Sequence, residues 1–331
     1  MGSRARRMSV ILVALALLAL AVLASLALGS KPIPVGDVLS ALRDGDGGEH
    51  ATIVRGMRVP RTLVGLEVGA ALALAGVAMQ ALTRNPLADP RILGVSAGAA
   101  AGVVTAIAVF GITTLTGYVW FGLVGAAVAG VLVYAVTGRA GVSPVNVALA
   151  GAAVDASLGA LIYGLLAVDA RTFDEYRFWA VGALAGRTPD MAAQVLPFVM
   201  AGLLLAVVAA RGLDALALGD DVARGLGFRV GRVRLAAAGA AVLLTGAAVA
   251  VAGPIAFVGL AVPHLARGLV GADHRWVVAV SVLLGPALVL AADVVGRVIT
   301  PPGEVPTGVV TALVGAPLLV VLVHRARAVS A

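Results

Sequence analysis

Long apolar runs alternate with short polar stretches along almost the whole chain. At about 1.5 Å of rise per residue, roughly 20 apolar residues cross a bilayer as a helix. The pattern predicts ten such helices, over 8–28, 62–83, 93–111, 118–138, 145–168, 193–211, 232–252, 257–271, 276–299 and 307–324. The first run follows MGSRARR and is longer than the apolar part of a signal peptide, so it reads as a retained span. Two polar stretches stand out, 30–60 near the start and 211–234 in the second half. Within 248–271, Pro254 and Pro263 interrupt an apolar run. Proline removes a backbone donor, which predicts a short re-entrant helix, a turn and then a short span bordering a pathway. Spacings such as Gly122–Gly125 and Gly69–Ala73 predict close helix packing.

Composition turns this pattern into a class. The 331 residues are 61% hydrophobic and 12% charged, with 42 glycines and 15 prolines. A soluble domain carries about 25% charge, so the fold class is all-α and polytopic in the membrane, one transmembrane domain over 1–331. The formal net charge of +7 is spread over the loops. It fits membrane topology and excludes a nucleic-acid partner as its reason. Cysteine is absent, which excludes disulfides, thiolate metal sites and a cysteine nucleophile. Lys31 is the only lysine, and it lies in KPIP. A phosphate-binding loop ending in Lys and Ser/Thr cannot be built here. If nucleotide drives this protein, another chain hydrolyses it.

Charge then orients the spans. With ten spans both termini lie inside, and the inner loops hold fifteen of the 24 basic residues against nine outside. The bias follows the positive-inside rule but leaves the outer arginines unexplained. The stretch 30–60 falls outside and 211–234 inside. The latter carries five arginines, at 211, 224, 229, 232 and 234. Gly219 followed by Asp220 and Asp221 suits a helix start, and Gly225 and Gly227 suit its end. Leu213, Leu216, Leu218, Val222 and Leu226 give it an apolar side with no evident core, which invites a protein partner.

Seven blocks agree in order with one known family: RVPR (58–61), GAALALAGVAMQALTRNPLADPRILGVSAGA (69–99), WAVGALAG (179–186), ALGDDVARGLG (217–227), AGPIAFVGLAVPHLARGLVGADHR (252–275), ADVVGR (292–297) and EVPTGVVTALVGAPLLVVLV (304–323). Together they resemble the FecCD permease subunits of ATP-binding-cassette importers for iron–siderophores, heme and vitamin B12. The resemblance implies a type II importer permease fold in the bacterial cytoplasmic membrane. It implies a dimer with a second permease, identical or homologous, with the substrate passing along the shared interface. ATP and Mg would sit on partner ATPase subunits, with no cofactor or metal on this chain, and an external substrate-binding protein would dock above. The match to ALGDDVARGLG places ATPase coupling at Asp220, Asp221, Val222, Arg224 and Leu226, with Asp220 and Arg224 in polar contacts and Val222 and Leu226 in packing. Arg58, Arg61 and Arg297 resemble the family's outer arginines, which meet glutamates on the binding protein. An arginine fork suits a carboxylate. Headgroup contact or snorkelling is the plainer account.

Ser143, Asn146 and Asp155 are pathway or gate candidates on the same resemblance. A carboxylate such as Asp155 within a span costs about 2.5–3.5 kcal/mol on insertion scales, so it faces protein or water. A hydrogen bond to a neighbouring helix serves equally well. Glu67, in the second span, has no account from the sequence. Asn85 before Pro86, with Asp89–Pro90, reads as a turn. His50, His264, His274 and His324 lack metal-ligand spacing. Two other classes compete: an ion-coupled secondary transporter using Asp155 and Glu67, and a membrane-embedded enzyme, for which no catalytic cluster is visible.

Overall fold

The computed structural model describes residues 3–43, 48–140 and 144–317. Among these, ten helices occupy the ten expected positions: α1 (Ser3–Ala27), α4 (Val59–Thr83), α5 (Val95–Phe110), α6 (Leu115–Ala140), α7 (Pro144–Val168), α9 (Pro189–Ala217), α11 (Val230–Ala252), α12 (Val258–Val270), α13 (His274–Ile299) and α14, described over Thr307–Pro317. Seven are long and apolar enough to cross a membrane alone. The 16 residues of α5 and the 13 of α12 reach only about 24 and 20 Å, short of a hydrocarbon core of about 30 Å.

Four shorter helices connect them. Helices α2 (Val35–Arg43) and α3 (Glu49–Ile53) lie in the outer stretch, and a π-helical turn, Val54–Arg58, joins α3 directly to α4. The 30–60 stretch is therefore structured, with its own small apolar cluster of Ala27, Ile33, Val38, Ala41 and Val54. Helix α8 (Ala170–Ala180) follows α7, started by Asp169, whose carboxylate accepts the Arg171 and Thr172 amides. Helix α10 (Asp220–Gly225) is the short inner helix.

Helix α4 is the axis. It packs on α13, α11, α9 and α12, and α1 closes against α13. Helices α5 and α6 form a hairpin, and α7 leans on that pair from outside. The axis works because its apolar face is small. A Cβ on Gly76 would fall on the Gly259 carbonyl oxygen, and one on Gly69 would strike the backbone of Gly285 and Pro286. Backbones come this close in a membrane only where side chains vanish. The sequence spacings prove to be such contacts: Ala73 stands against Gly285, and Gly125 against Gly98.

The proline-broken segment differs from expectation in one respect. No re-entrant helix precedes the break: α11 runs unbroken to Ala252, and the chain opens only over 253–257. This opening is packed on protein, with the Ala183 amide donating to the Ala252 carbonyl at 2.8 Å and Gly253 against the Trp179 carbonyl. Pro263 lies inside α12, where its missing N–H leaves the Gly259 carbonyl without its helical donor. The buried Gln80 amide donates to that carbonyl at 3.2 Å and to the Leu260 carbonyl at 3.3 Å. Its own oxygen accepts from Arg267. A proline in one span is thus completed by a glutamine from another.

Candidate functional site: an arginine cluster and a short helix at opposite ends of the bundle

At the end of the bundle expected outside, α1, α4 and α13 meet around a buried carboxylate. Asp293 is 1% exposed and accepts both Nε and Nη2 of Arg61, at 2.9 and 2.8 Å. It also accepts Thr307 Oγ1 at 2.8 Å and pairs with Arg297 at 3.1 Å. The remaining Arg61 nitrogen donates to Glu304 at 2.7 Å. Arg297 donates to the Ser25 carbonyl and hydroxyl, at 3.0 and 3.1 Å. Arg58, on the last residue of the π turn, donates to the Leu26 carbonyl at 2.7 Å and to that of Lys31.

The three outer arginines singled out in the sequence are therefore brought together, but not as free forks. Arg58 and Arg297 are 6% and 2% exposed and already engaged with this chain. Within the single chain they brace the outer ends of α1, α4 and α13. Arg61 keeps more surface, and three of its five N–H groups are engaged by Asp293 and Glu304. Sequence reasoning missed both carboxylates. Asp293 stands four residues before Arg297 on one helix face, which was the available signal. Arg58, Arg61, Arg297 and Glu304 line a cavity of about 550 Å³, together with Lys31 and Arg187.

At the end expected inside, RNPLADP forms the expected turn. The Asn85 carboxamide oxygen accepts the Leu87 amide at 2.9 Å, and Asp89 accepts that of Arg91 at 2.9 Å. Arg84 takes the left-handed conformation, φ 51°, and thereby stops α4. Its guanidinium reaches Asp220 of α10 at 2.6 Å, and Arg234 of α11 reaches the same carboxylate at 2.8 Å.

The polar segment is tighter than its expected bounds of 211–234. Helix α9 continues to Ala217, so Arg211 and Asp214 are helical, and α11 starts at Val230. Asp214 accepts both the amide and the ring Nδ1 of His274, at 3.0 and 2.7 Å. Leu213 and Leu216 are buried, which removes them from the expected apolar side. Leu218, Val222 and Leu226 stay exposed, at 66%, 48% and 59%. Asp221 and Arg224 form an exposed pair at 2.7 Å. Asp220 differs from the expectation of an outward polar contact, because it faces Arg84 and Arg234. Gly219 and Gly227, at φ +112° and +84°, bracket α10 with backbone that favours glycine.

Asp155 is exposed on α7, and Asn146 is half-buried in the first turn of the same helix. Ser143 lies outside the described residues, as do His324, Arg325 and Arg327. Glu67 is half-buried in α4, and its Oε2 finds no hydrogen-bond partner among the described residues. His50 pairs with Asp37 at 2.9 Å. Among the described residues no three His, Asp or Glu side chains gather as a metal site would require.

Comparison with known proteins bears on both faces. The sequence model of the FecCD transport family matches residues 17–325. The chain is 46% identical over 305 residues to the ferric enterobactin transport system permease protein of Escherichia coli (strain K12), covering 91% of this chain and 90% of that one. It is 40% identical over 283 residues to the cobalamin import system permease protein of Halobacterium salinarum, covering 83% and 74%. Its fold is similar to a solved metal-chelate type ABC transporter in an inward-facing conformation, with a TM-score of 0.85 at 28% identity, covering 96% of this chain and 99% of that one.

Proposed function

Because this chain belongs to the FecCD transport family, we propose that it carries a ferric chelate inward across the bacterial cytoplasmic membrane, both termini inside, on energy from ATP hydrolysed by partner chains. It is a multi-pass permease subunit of an ATP-binding-cassette importer. The ion-coupled alternative built on Asp155 and Glu67 is not favoured by that membership. ATP and Mg belong to the partner ATPase, since the only lysine, Lys31, lies in an outer segment.

The observation that carries the reading is α10. Its outward residues Asp221, Val222, Arg224 and Leu226 present a small amphipathic surface, while Asp220 ties the same turn to the ends of α4 and α11. A surface that binds an ATPase while anchored to the core helix can pass on a displacement. A second permease copy, identical or homologous, covers α7, where Asp155 at membrane depth needs protein or water rather than lipid. The outer cluster of Arg58, Arg61 and Arg297 underlies the docking face for a substrate-binding protein, Arg61 and Glu304 being its more accessible members.

The test is the double variant R224E with L226D in the assembled importer. Both side chains point away from this chain's core, so the permease should fold and melt as wild type. Uptake should fall at least about 10-fold, and the stimulation of ATP hydrolysis by loaded binding protein should vanish. Wild-type uptake with normal stimulation would overturn the assignment of α10.

A further inference from the structure

The outer cavity has more positive charge than its own carboxylates answer. Lys31 is paired with Glu49 at 2.5 Å, Arg61 with Asp293 and Glu304, and Arg297 with Asp293. Among the described residues Arg58 donates only to backbone carbonyls. Arg187 is 7% exposed, yet its guanidinium has no hydrogen bond or ion pair among the described residues. Among the described residues five cations thus meet three carboxylates, and the surplus rests on Arg58 and Arg187.

Arg187 is placed against its own interest. It stands just before Thr188, which caps α9. The start of a helix carries partial positive charge, so a cation there is repelled and an anion attracted. Burial above all, with a smaller push from nearby Arg61, holds its pKa below the ordinary arginine value, and the attraction of the Tyr118 phenol offsets this only in part. A buried charge without a partner is among the most costly arrangements a fold can keep. It points into a cavity of about 550 Å³, a volume usual for small-molecule sites.

We propose that Arg187, seconded by Arg58, is an anion-binding site that takes an oxygen of a negatively charged metal chelate at the outer mouth. The free chain keeps Arg187 desolvated so that the incoming ligand supplies its missing partner. An uncharged chelate would fill the same cavity without that gain. This makes the site a selector of chelate charge, and it rests on the transport reading above.

The full-length chain in nanodiscs of zwitterionic lipid is titrated, by equilibrium dialysis of radioactive iron, with two probes. One is a trianionic hexadentate tris-catecholate of ferric iron, the other an uncharged ferric tris-hydroxamate. R187Q should weaken the trianion by about 10- to 100-fold and the uncharged chelate by less than about twofold. R187K, which keeps the charge but not the fork, should fall between. The ligand-free melting temperature of R187Q should equal or exceed that of wild type, because an unanswered buried charge has been removed. A lower melting temperature with equal weakening of both chelates would mean a structural role and overturn the site. So would the absence of trianion binding by wild type, or a charge preference seen only with a docked protein. Unchanged chelate binding, with a melting difference confined to nanodiscs of anionic lipid, would assign Arg187 to a headgroup phosphate instead. If the assembled wild-type importer still takes up ferric chelate in any of these cases, the transport reading stands and only this site falls.

Discussion

Helices α4 and α7 are each 25 residues long and nearly equal in hydropathy, yet the protein treats them oppositely. Of the most apolar stretch of the span that contains α4, 83% is buried inside the chain; for α7 the figure is 17%. The difference lies in the small residues. Gly69 and Gly76 are pressed by other backbones, whereas a Cβ on Gly159 or Gly164 would meet nothing within 4 Å. Hydropathy measures the preference for a bilayer. It is silent on whether the apolar face is given to lipid, to this chain or to a second one. One helix is finished by its own chain, and the other leaves most of its surface outside it.

The largest expected contrast is between two carboxylates. Asp293→Leu strands Arg297 beside the axis, leaves Arg61 with Glu304 alone, and should cost about 3–5 kcal/mol in thermal or denaturant unfolding. Asp155→Leu, on the open flank of α7, should change stability by less than about 0.5 kcal/mol while cutting chelate uptake by about 10-fold in the assembled importer. Similar stability losses at both sites would erase the distinction.

Glycines sharpen it next. Gly76→Val drives a side chain into the Gly259 carbonyl, and a loss of about 3 kcal/mol or more should appear as poor yield of monodisperse protein. Gly159→Val should give a normally melting chain whose association with the second permease, measured by mass photometry, is weakened. Unaltered association and uptake would mean that this face of α7 meets only lipid.

The smallest effect is at α8, the one outer helix that packs on α7. Asp169→Ala removes the cap that holds the Arg171 and Thr172 amides and should cost about 1 kcal/mol, read as faster amide exchange over 170–173. Asp169→Asn, which retains a capping oxygen, should restore most of the protection.

Much of this was legible in the sequence for a physical reason. A bilayer imposes a common length and polarity on a full crossing, so the seven long spans announce themselves, and the apolar runs alone pointed to the shorter α5, α12 and α14. Gly219 and Gly227 marked α10 because its two ends need backbone that other residues resist. Asn85 announced its turn by local bonding. What stayed hidden depends on pairing across the chain. Arg61 meets Asp293 over 232 positions, and no periodicity reports that. Leu213 and Leu216 appeared unburied because α9 was expected to stop at 211, whereas Asp214 is bonded to His274 and the helix runs on. Gln80 was visible as a polar residue in a span, but its purpose needed Pro263 beside it. Helix α8 was passed over because its eleven residues are too few and too polar to register as a span, although Asp169 stood at its start.

The two clamps on α4 have a mechanical consequence. Arg61 fixes its outer end to Asp293 on α13, and Arg84, one residue past its inner end, is fixed to Asp220 on α10. Between them lies an unbroken rod of 25 residues, about 37 Å long. A tilt of about 5° at one clamp sweeps the other through about 3 Å, roughly two residues of helical rise. The lever has no proline along its length beyond Pro60 at its start, and so no joint in which to lose the stroke.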